Sequence, residues 1–398
     1  METSESEVLQ MRKTKKNSKQ KMAYKFLAKP NTEQIIMISK TFGCCRKLWN
    51  LMLDDHNFYY SQLGKYLYVT PADYKELDEY AYLKEVDSLA LANVQMNLDS
   101  AFGAFFKKKA KYPKFKSKKS RQSYTTNNVN NSIRLESKNG KDYIKLPKVG
   151  LVEIIQHRNI EGKIKNVTVS KDTDDRYYVS IVTELETELP ELISSVRKEQ
   201  INAMDYKSDG LYQDTNDVCN MPKYYKDSQE KLAKLQRGLS KKQKNSNNYK
   251  KQLKKVGKLS KHISNQRLDY LHKDSTAITK QYQFVIVEDL DLKQISSKKT
   301  KYHLGKATND NGFGIYRTLL EYKLKRCGGL LIKTNKYFAS TQICSCCRYK
   351  NSELKDLSIR KWTCPQCGQV HDRDQNSVSN LLNEGIRILK NDYKVKVV

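Results

Sequence analysis

The sequence predicts two structural classes in one chain: an antiparallel β-rich unit interrupted by helices, followed from about residue 195 by an α/β domain. Three observations carry this. The runs IRLESK, YIKLPKVG, GLVEIIQ, KIKNVTVSKDT and RYYVSIVTEL alternate apolar and polar residues and are broken by Asn, Gly and Asp, the pattern of antiparallel strands and turns. Ahead of them, apolar residues recur every three to four positions, as in Leu89, Leu91, Val94, Leu98, Phe102 and Phe105, which is a helical stripe. After Pro190, the short apolar runs QFVIVEDL and GLLIKTNK read as strands covered on both faces, and they alternate with amphipathic helices.

Taken in order, residues 1–20 (METSESEVLQMRKTKKNSKQ) are polar with no apolar core, so they predict a disordered tail and not a secretory leader. AYKFLAKPNTEQ alternates as a strand and turns at Pro30-Asn31. From about Glu33 to Tyr60, and again over 71–109, the period is helical. INAMDY and GLYQD predict a hairpin. Leu232, Leu235 and Leu239, then Leu253, Val256, Leu259 and Ile263, predict a helical hairpin across KKQKNSNN. SVSNLLNEGIRILKN predicts a closing helix.

The 398 residues carry 74 Lys+Arg against 44 Asp+Glu, a formal charge of +30. Such self-repulsion fits a polyanionic partner, nucleic acid before an acidic membrane. No run of about 18 apolar residues exists to span a bilayer. The charge is concentrated. KKKAKYPKFKSKKSR (107–121) holds nine basic residues and no acid, and 226–273 holds fifteen basic and three acidic. Either run is a solvated surface or a track for phosphates. Tyr112, Phe115 and Tyr124 favour the second for the first run, because rings stack on bases. In the second, the leucines are core and the lysines the candidates, and His272 is a packing or phosphate-contacting residue.

Nine cysteines are odd in number and belong to no disulfide framework of a short secreted chain, so a reducing compartment is expected. Cys344, Cys347, Cys364 and Cys367 form Cys-x2-Cys-x16-Cys-x2-Cys, the spacing of a closed tetrahedral zinc site, in which Trp362 would form a small core. Cys346 should point away, and the remaining thiols should be buried or inert. Among the carboxylates, Asp205 ends the run INAMD, Glu288 ends a buried strand where α/β sites gather, and Asp374 opens a helix. Asp289, Asp291 and Asp372 compete with them, and Asp374 has an ordinary reading as an N-cap. If the first three converge, two Mg²⁺ ions would relieve their repulsion and drive phosphodiester hydrolysis.

AYKFLAKPNTEQ, TFGCCRKLWN, AKYPKFKSKKSRQSY, NQRLDYLHKDS, FVIVEDLDLK, STQICSCC, WTCPQCG and HDRDQNSVSNLL, in this order, resemble the TnpB family of transposon-encoded RNA-guided DNA nucleases, over about residues 22–388. The resemblance implies a RuvC-like nuclease of RNase H fold at 191–343 and 374–398, interrupted by a zinc-binding insertion at 344–373. It implies a wedge β-barrel at 21–42 and 123–190, interrupted by a helical recognition domain at 43–122. Asp205, Glu288 and Asp374 would be the catalytic ligands of two Mg²⁺, and the four cysteines would hold one Zn²⁺. Lys107, Lys108, Lys109, Lys114, Phe115, Lys116, Lys118, Arg121, Gln122, Ser123, Tyr124, Arg267, His272 and Arg373 would contact nucleic acid. The partners would be a guide RNA and a double-stranded DNA target cut beside a short flanking motif, one chain per RNA, in the prokaryotic cytoplasm near the nucleoid. A nuclease-inactive RNA-guided regulator, a compact CRISPR effector of type V and a cut-and-paste transposase are the alternatives. The chain departs from the family at Ala203 and Lys207, where relatives carry glycines around the first Asp. It departs also at Arg348 in place of Gly and at Ser377 in place of Ala.

Overall fold

The computed structural model describes residues 19–65, 67–296, 305–356 and 358–398. The expected tail lies outside them up to residue 18, and its last two residues already belong to a strand. The described chain divides into two units, Lys19–Thr187 and Glu188–Val398.

In the first unit, β1 (Lys19–Lys29) turns at Pro30 into α1 (Thr32–Leu63). Asn31 starts that helix as an N-cap: its side chain accepts from the Gln34 N–H at 2.9 Å, and the Gln34 side chain accepts from the Asn31 N–H at 3.0 Å. α1 runs unbroken through residue 43, so the expected domain boundary there falls inside a helix. The expected helix over 71–109 is instead α2 (Pro71–Lys75), a 3-10 segment (Asp78–Glu85) and α3 (Ser88–Phe106). Asp87 restarts the helix by accepting from the Leu89 N–H at 3.0 Å. The remaining strands are β2 (Gln122–Asn127), β3 (Arg134–Lys138), β4 (Lys141–Leu146), β5 (Gly150–Ile155), β6 (Lys163–Lys171) and β7 (Tyr177–Glu188). With β1 they form one seven-stranded sheet of order β2-β6-β7-β1-β5-β4-β3. β2 and β3 end this order, so among the described residues the expected barrel is an open sequence of neighbours. Phe26, Ile154, Val167 and Ile181 of the sheet share one core with Phe42, Leu48 and Met52 of α1 and Leu91 and Leu98 of α3.

The second unit opens with β8 (Ser195–Val196), which pairs at the far end of the chain with β16 (Lys396–Val397). Its central sheet runs β11-β10-β9-β12-β13. β9 (Ile201–Tyr206), β10 (Tyr212–Asp214) and β11 (Val218–Cys219) are antiparallel neighbours, whereas β12 (Phe284–Glu288) and β13 (Leu330–Thr334) continue parallel to β9. The helical hairpin is present as α4 (Tyr224–Ser240) and α5 (Asn247–Gln281). After β12 come α6 (Leu292–Ile295), α7 (Gly305–Asn311) and α8 (Phe313–Arg326), the last unforeseen although Tyr316, Leu320 and Leu324 carry its stripe. β14 (Lys361–Thr363) and β15 (Val370–Asp372) form a small hairpin, and α9 (Arg373–Asn391) follows.

Strand parity sorts the core into two layers. Val285, Val287, Met204 and Leu331 face Leu271 and Ile278 of α5 and Tyr316 and Leu320 of α8. Ile201, Ala203, Phe284, Ile286 and Ile332 face Val378, Leu381 and Leu389 of α9. Residues two apart share a face, so Asp205 and Glu288 follow Ala203 and Ile286 toward α9.

Candidate active site and metal centre

β9 and β12 are in register at Met204 and Val287, so Asp205 and Glu288 stand beside each other one step further, at the C-terminal strand ends. Burial pushes both carboxyls upward from their ordinary range, and for Asp205 the charge of Glu288 adds to the effect. Asp374 acts on Asp205 in the same direction, so all three predicted acids share one electrostatic neighbourhood. Two groups oppose the shift at Asp205: the fully buried Ser377 side chain and Arg373. On Glu288, the Ser340 hydroxyl donates to Oε1.

Asp374 does not cap α9. The N-cap is Asp372, which accepts from the N–H groups of Asp374 and Gln375, each at 3.0 Å. That frees the Asp374 carboxylate, which instead receives Arg360 Nη1 at 3.3 and 3.4 Å. Gln213, paired across the strands with Asp205, donates through Nε2 to Gln375 Oε1 at 2.9 Å and ties β10 to the first turn of α9. Of the competing acids, Asp289 lies 3.8 Å from Arg317 Nη1, and Asp291 accepts from the Gln294 N–H. Among the causes of the shift at Asp205, the cation is Arg373.

The four predicted cysteines do gather: their sulfurs lie within 4.8 Å of one another, the one such group of potential metal ligands among the described residues. Cys344 and Cys367 are 3.7 Å apart and Cys347 and Cys364 3.5 Å apart. A tetrahedron with metal–sulfur arms of about 2.3 Å has edges of about 3.8 Å, so the set fits one structural metal ion. Each knuckle turns in the same way. The N–H of Arg348 returns to the Cys344 carbonyl and that of Gly368 to the Cys364 carbonyl, both at 2.9 Å. Both residues are left-handed, φ 68° and 71°, so Arg348 holds a conformation that favours glycine. Trp362 packs with Leu354, Cys344 and Cys364 as the expected small core and lies against His371, with ring centroids 4.8 Å apart. His371 Nε2 is 3.1 Å from Cys344 Sγ. Cys346 is exposed and outside the set, as expected; of the other spare thiols Cys44 and Cys45 are buried, Cys219 is half-buried and Cys327 is exposed.

The predicted nucleic-acid contacts divide. Lys107, Lys108, Lys109, Lys114, Phe115, Lys118 and Arg121 are exposed. Lys116 lays its ammonium 3.4 Å from the centre of the Trp49 ring, and the Trp49 indole donates to the Lys114 carbonyl at 3.0 Å. Gln122 spends its amide on the Lys118 and Ser120 carbonyls. Tyr124 cannot stack on a base, because strand alternation turns its ring inward against Phe42. Arg267 is bound to Asp310 at 2.9 Å, and Asp310 also accepts from the Tyr225 and Lys226 N–H groups, so this arginine pins α4 and α7 to α5. Arg373 is buried rather than offered to a ligand. The His272 carbonyl accepts from Lys323 Nζ. Beside the exposed lysines lies a cavity of about 350 Å³, bordered by Arg46, Asn93, Asn97, Lys116, Arg121 and Ser123. Arg46, Asn93 and Asn97 escaped sequence reading because polar residues on helices carry no local signature.

Residues 211–298 match the family model "Probable transposase" of the OrfB_IS605 group, 313–381 the "Cas12f1-like, TNB domain", and 19–65 a "Helix-turn-helix domain" of the first group. The last segment is β1 and the single helix α1 in this structure. The chain is 34% identical to the "Putative RNA-guided DNA endonuclease" of Streptomyces pristinaespiralis, covering 92% of this chain and 90% of that one. It is 31% identical to the "Putative RNA-guided DNA endonuclease InsQ" of Escherichia coli K12, covering 93% and 94%. In fold it is similar to the Cas12f1 protein of a solved complex with single guide RNA and target DNA. That likeness has a TM-score of 0.57 at 12% identity and covers 89% of this chain and 83% of that one.

Proposed function

Because the chain belongs to the TnpB family, as relatives of 34% and 31% identity across nine-tenths of its length establish, we propose that it is an RNA-guided DNA endonuclease with a single carboxylate site at Asp205, Glu288 and Asp374. The observation that carries this is the pairing of Asp205 with Glu288 on adjacent parallel strands, each raised by burial, with Asp374 acting on the same carboxyl. Hard oxygen donors, of which Asp205 feels the negative charge of the other two, suit Mg²⁺. Bound there, Mg²⁺ would supply an activated water and stabilise the leaving 3′ oxygen of a phosphodiester. The sheet order, three antiparallel strands followed by two parallel ones, is the basis for reading the second unit as a RuvC-like nuclease. The four thiols are read as a zinc site that folds residues 344–373. The first unit is read as the wedge with its helical insertion.

The residues divide the work. Ser340 holds the Oε1 oxygen of Glu288. Arg373 offsets part of the negative charge from the buried side. Base pairing by the guide selects the target, while the protein reads a flanking motif and duplex shape. The exposed lysines of 107–121 follow phosphates, and the cavity beside them is the place for a closer contact.

A second reading, RNA-guided binding without cutting, is favoured by one observation: Arg360 occupies both oxygens of Asp374. Incubating the purified RNA complex with a matched plasmid and Mg²⁺ separates the two. Linear product that disappears with Ala at Asp205, Glu288 or Asp374 supports nuclease action. Tight target binding without product from the unsubstituted chain overturns it in favour of the second reading.

A further inference from the structure

The segment between β13 and the first cysteine pair is irregular, so its buried carbonyls need partners that no strand supplies. α9 provides them from one face. Asn380, fully buried, donates through Nδ2 to the Ser340 carbonyl at 2.9 Å and the Ile343 carbonyl at 2.5 Å. One turn earlier, Asn376 donates to the Ile343 carbonyl at 2.7 Å and accepts from the Ser345 N–H at 2.9 Å, bracketing Cys344. Ser340, buried, is thereby fixed with its hydroxyl on Glu288 Oε1.

We infer that Asn380 is a positioning residue for Glu288, acting through the backbone of Ser340, whose hydroxyl sets the orientation of the carboxylate. The inference rests on the reading of Glu288 as a metal ligand. The alternative is that Asn380 merely satisfies buried carbonyls. The two differ in what they do to metal binding. An outer partner that orients a ligand changes metal affinity or activity by about 10–100-fold when removed, whereas a satisfied carbonyl affects only folding.

The test uses the full chain with its co-purified RNA and Mn²⁺ as probe, followed by electron paramagnetic resonance, beside single-turnover cleavage and target affinity. Ser340→Ala and Asn380→Ala should each weaken Mn²⁺ binding about tenfold and slow cleavage about 10–100-fold, with target affinity unchanged. Ser340→Thr should restore both. The double variant should be no worse than the more severe single one, because both act along one chain of contacts. Wild-type Mn²⁺ affinity in folded Ser340→Ala overturns the inference, as do losses that multiply in the double variant. If Asn380→Ala does not fold, Asn380→Ser decides: a lowered melting temperature with unchanged Mn²⁺ affinity leaves Asn380 a packing residue. An unsubstituted chain that binds no Mn²⁺ sinks the carboxylate reading as well, whereas one that binds it while Ser340→Ala matches it sinks this inference alone.

Discussion

Asp205 sits where charge is expensive. Burial and the neighbouring Glu288 raise its carboxyl from an ordinary 3.8 to about 8. A carboxyl whose folded-state pKa is raised costs nothing while both states are protonated. The cost grows as pH climbs from about 4 to about 8 and is then complete. Without divalent cations, Asp205→Asn should therefore raise the melting temperature at pH 8 by at least about 2 °C and leave it nearly unchanged at pH 4. Scanning calorimetry that finds the variant no more stable at pH 8 would reject this. Asp372 and Asp374 give a matched pair of the opposite kind. Asp372→Ala removes the cap of α9 and should cost about 1 kcal/mol of stability while sparing cleavage. Asp374→Ala should abolish cleavage with little thermal effect, so equal loss of cleavage in both would refute the assignment. At this scale the sequence exposed the acids but not their helpers. Ser340, Arg360 and Gln213 lie 52, 14 and 162 residues from the side chains they meet, and no local pattern records such meetings.

Strand parity and helical period made most elements legible, because each expresses burial on one or two faces. Where a helix restarts at a new cap, as at Asp87, the period alone ran through the break. α9 packs tightly on the sheet at Gly385, where a Cβ would lie 2.3 Å from Ile286 Cγ1 and 2.9 Å from Ile286 Cγ2. The stiff β-branched side chain cannot yield those distances, so Gly385→Ala should cost about 1–3 kcal/mol by overpacking. It would also separate α9 from the strand that ends in Glu288. A denaturation midpoint equal to that of the unsubstituted chain would show that the helix shifts freely. The knuckle is the other element under test. Its core is the small cluster of Cys344, Leu354, Trp362 and Cys364, so a metal bound by the four thiols would supply most of its stability. Cys364→Ser should lower zinc content and melting temperature together, and full zinc content in that variant would disprove the four-thiolate set.

For the whole molecule, the formal +30 charge was the most legible property and the least local one. It pointed to a polyanion without saying which lysines face it. The structure separates two that the sequence made alike. Both are exposed, but the fold meets Lys114 at its backbone carbonyl, whereas the Lys116 ammonium lies over Trp49. A phosphate contact releases about one counterion, so its loss flattens the dependence of log affinity on log salt by about one unit. Lys114→Ala should do this with no change in melting temperature. Lys116→Ala removes a cation–π contact of about 0.5–1 kcal/mol and should lower the melting temperature whatever it does to the slope. Binding of the guide-loaded chain to target DNA, titrated across salt concentrations, reads both. If Lys114→Ala leaves the slope unchanged, the 107–121 run is solvated surface, and the counter-charge that balances +30 must be sought along α4 and α5.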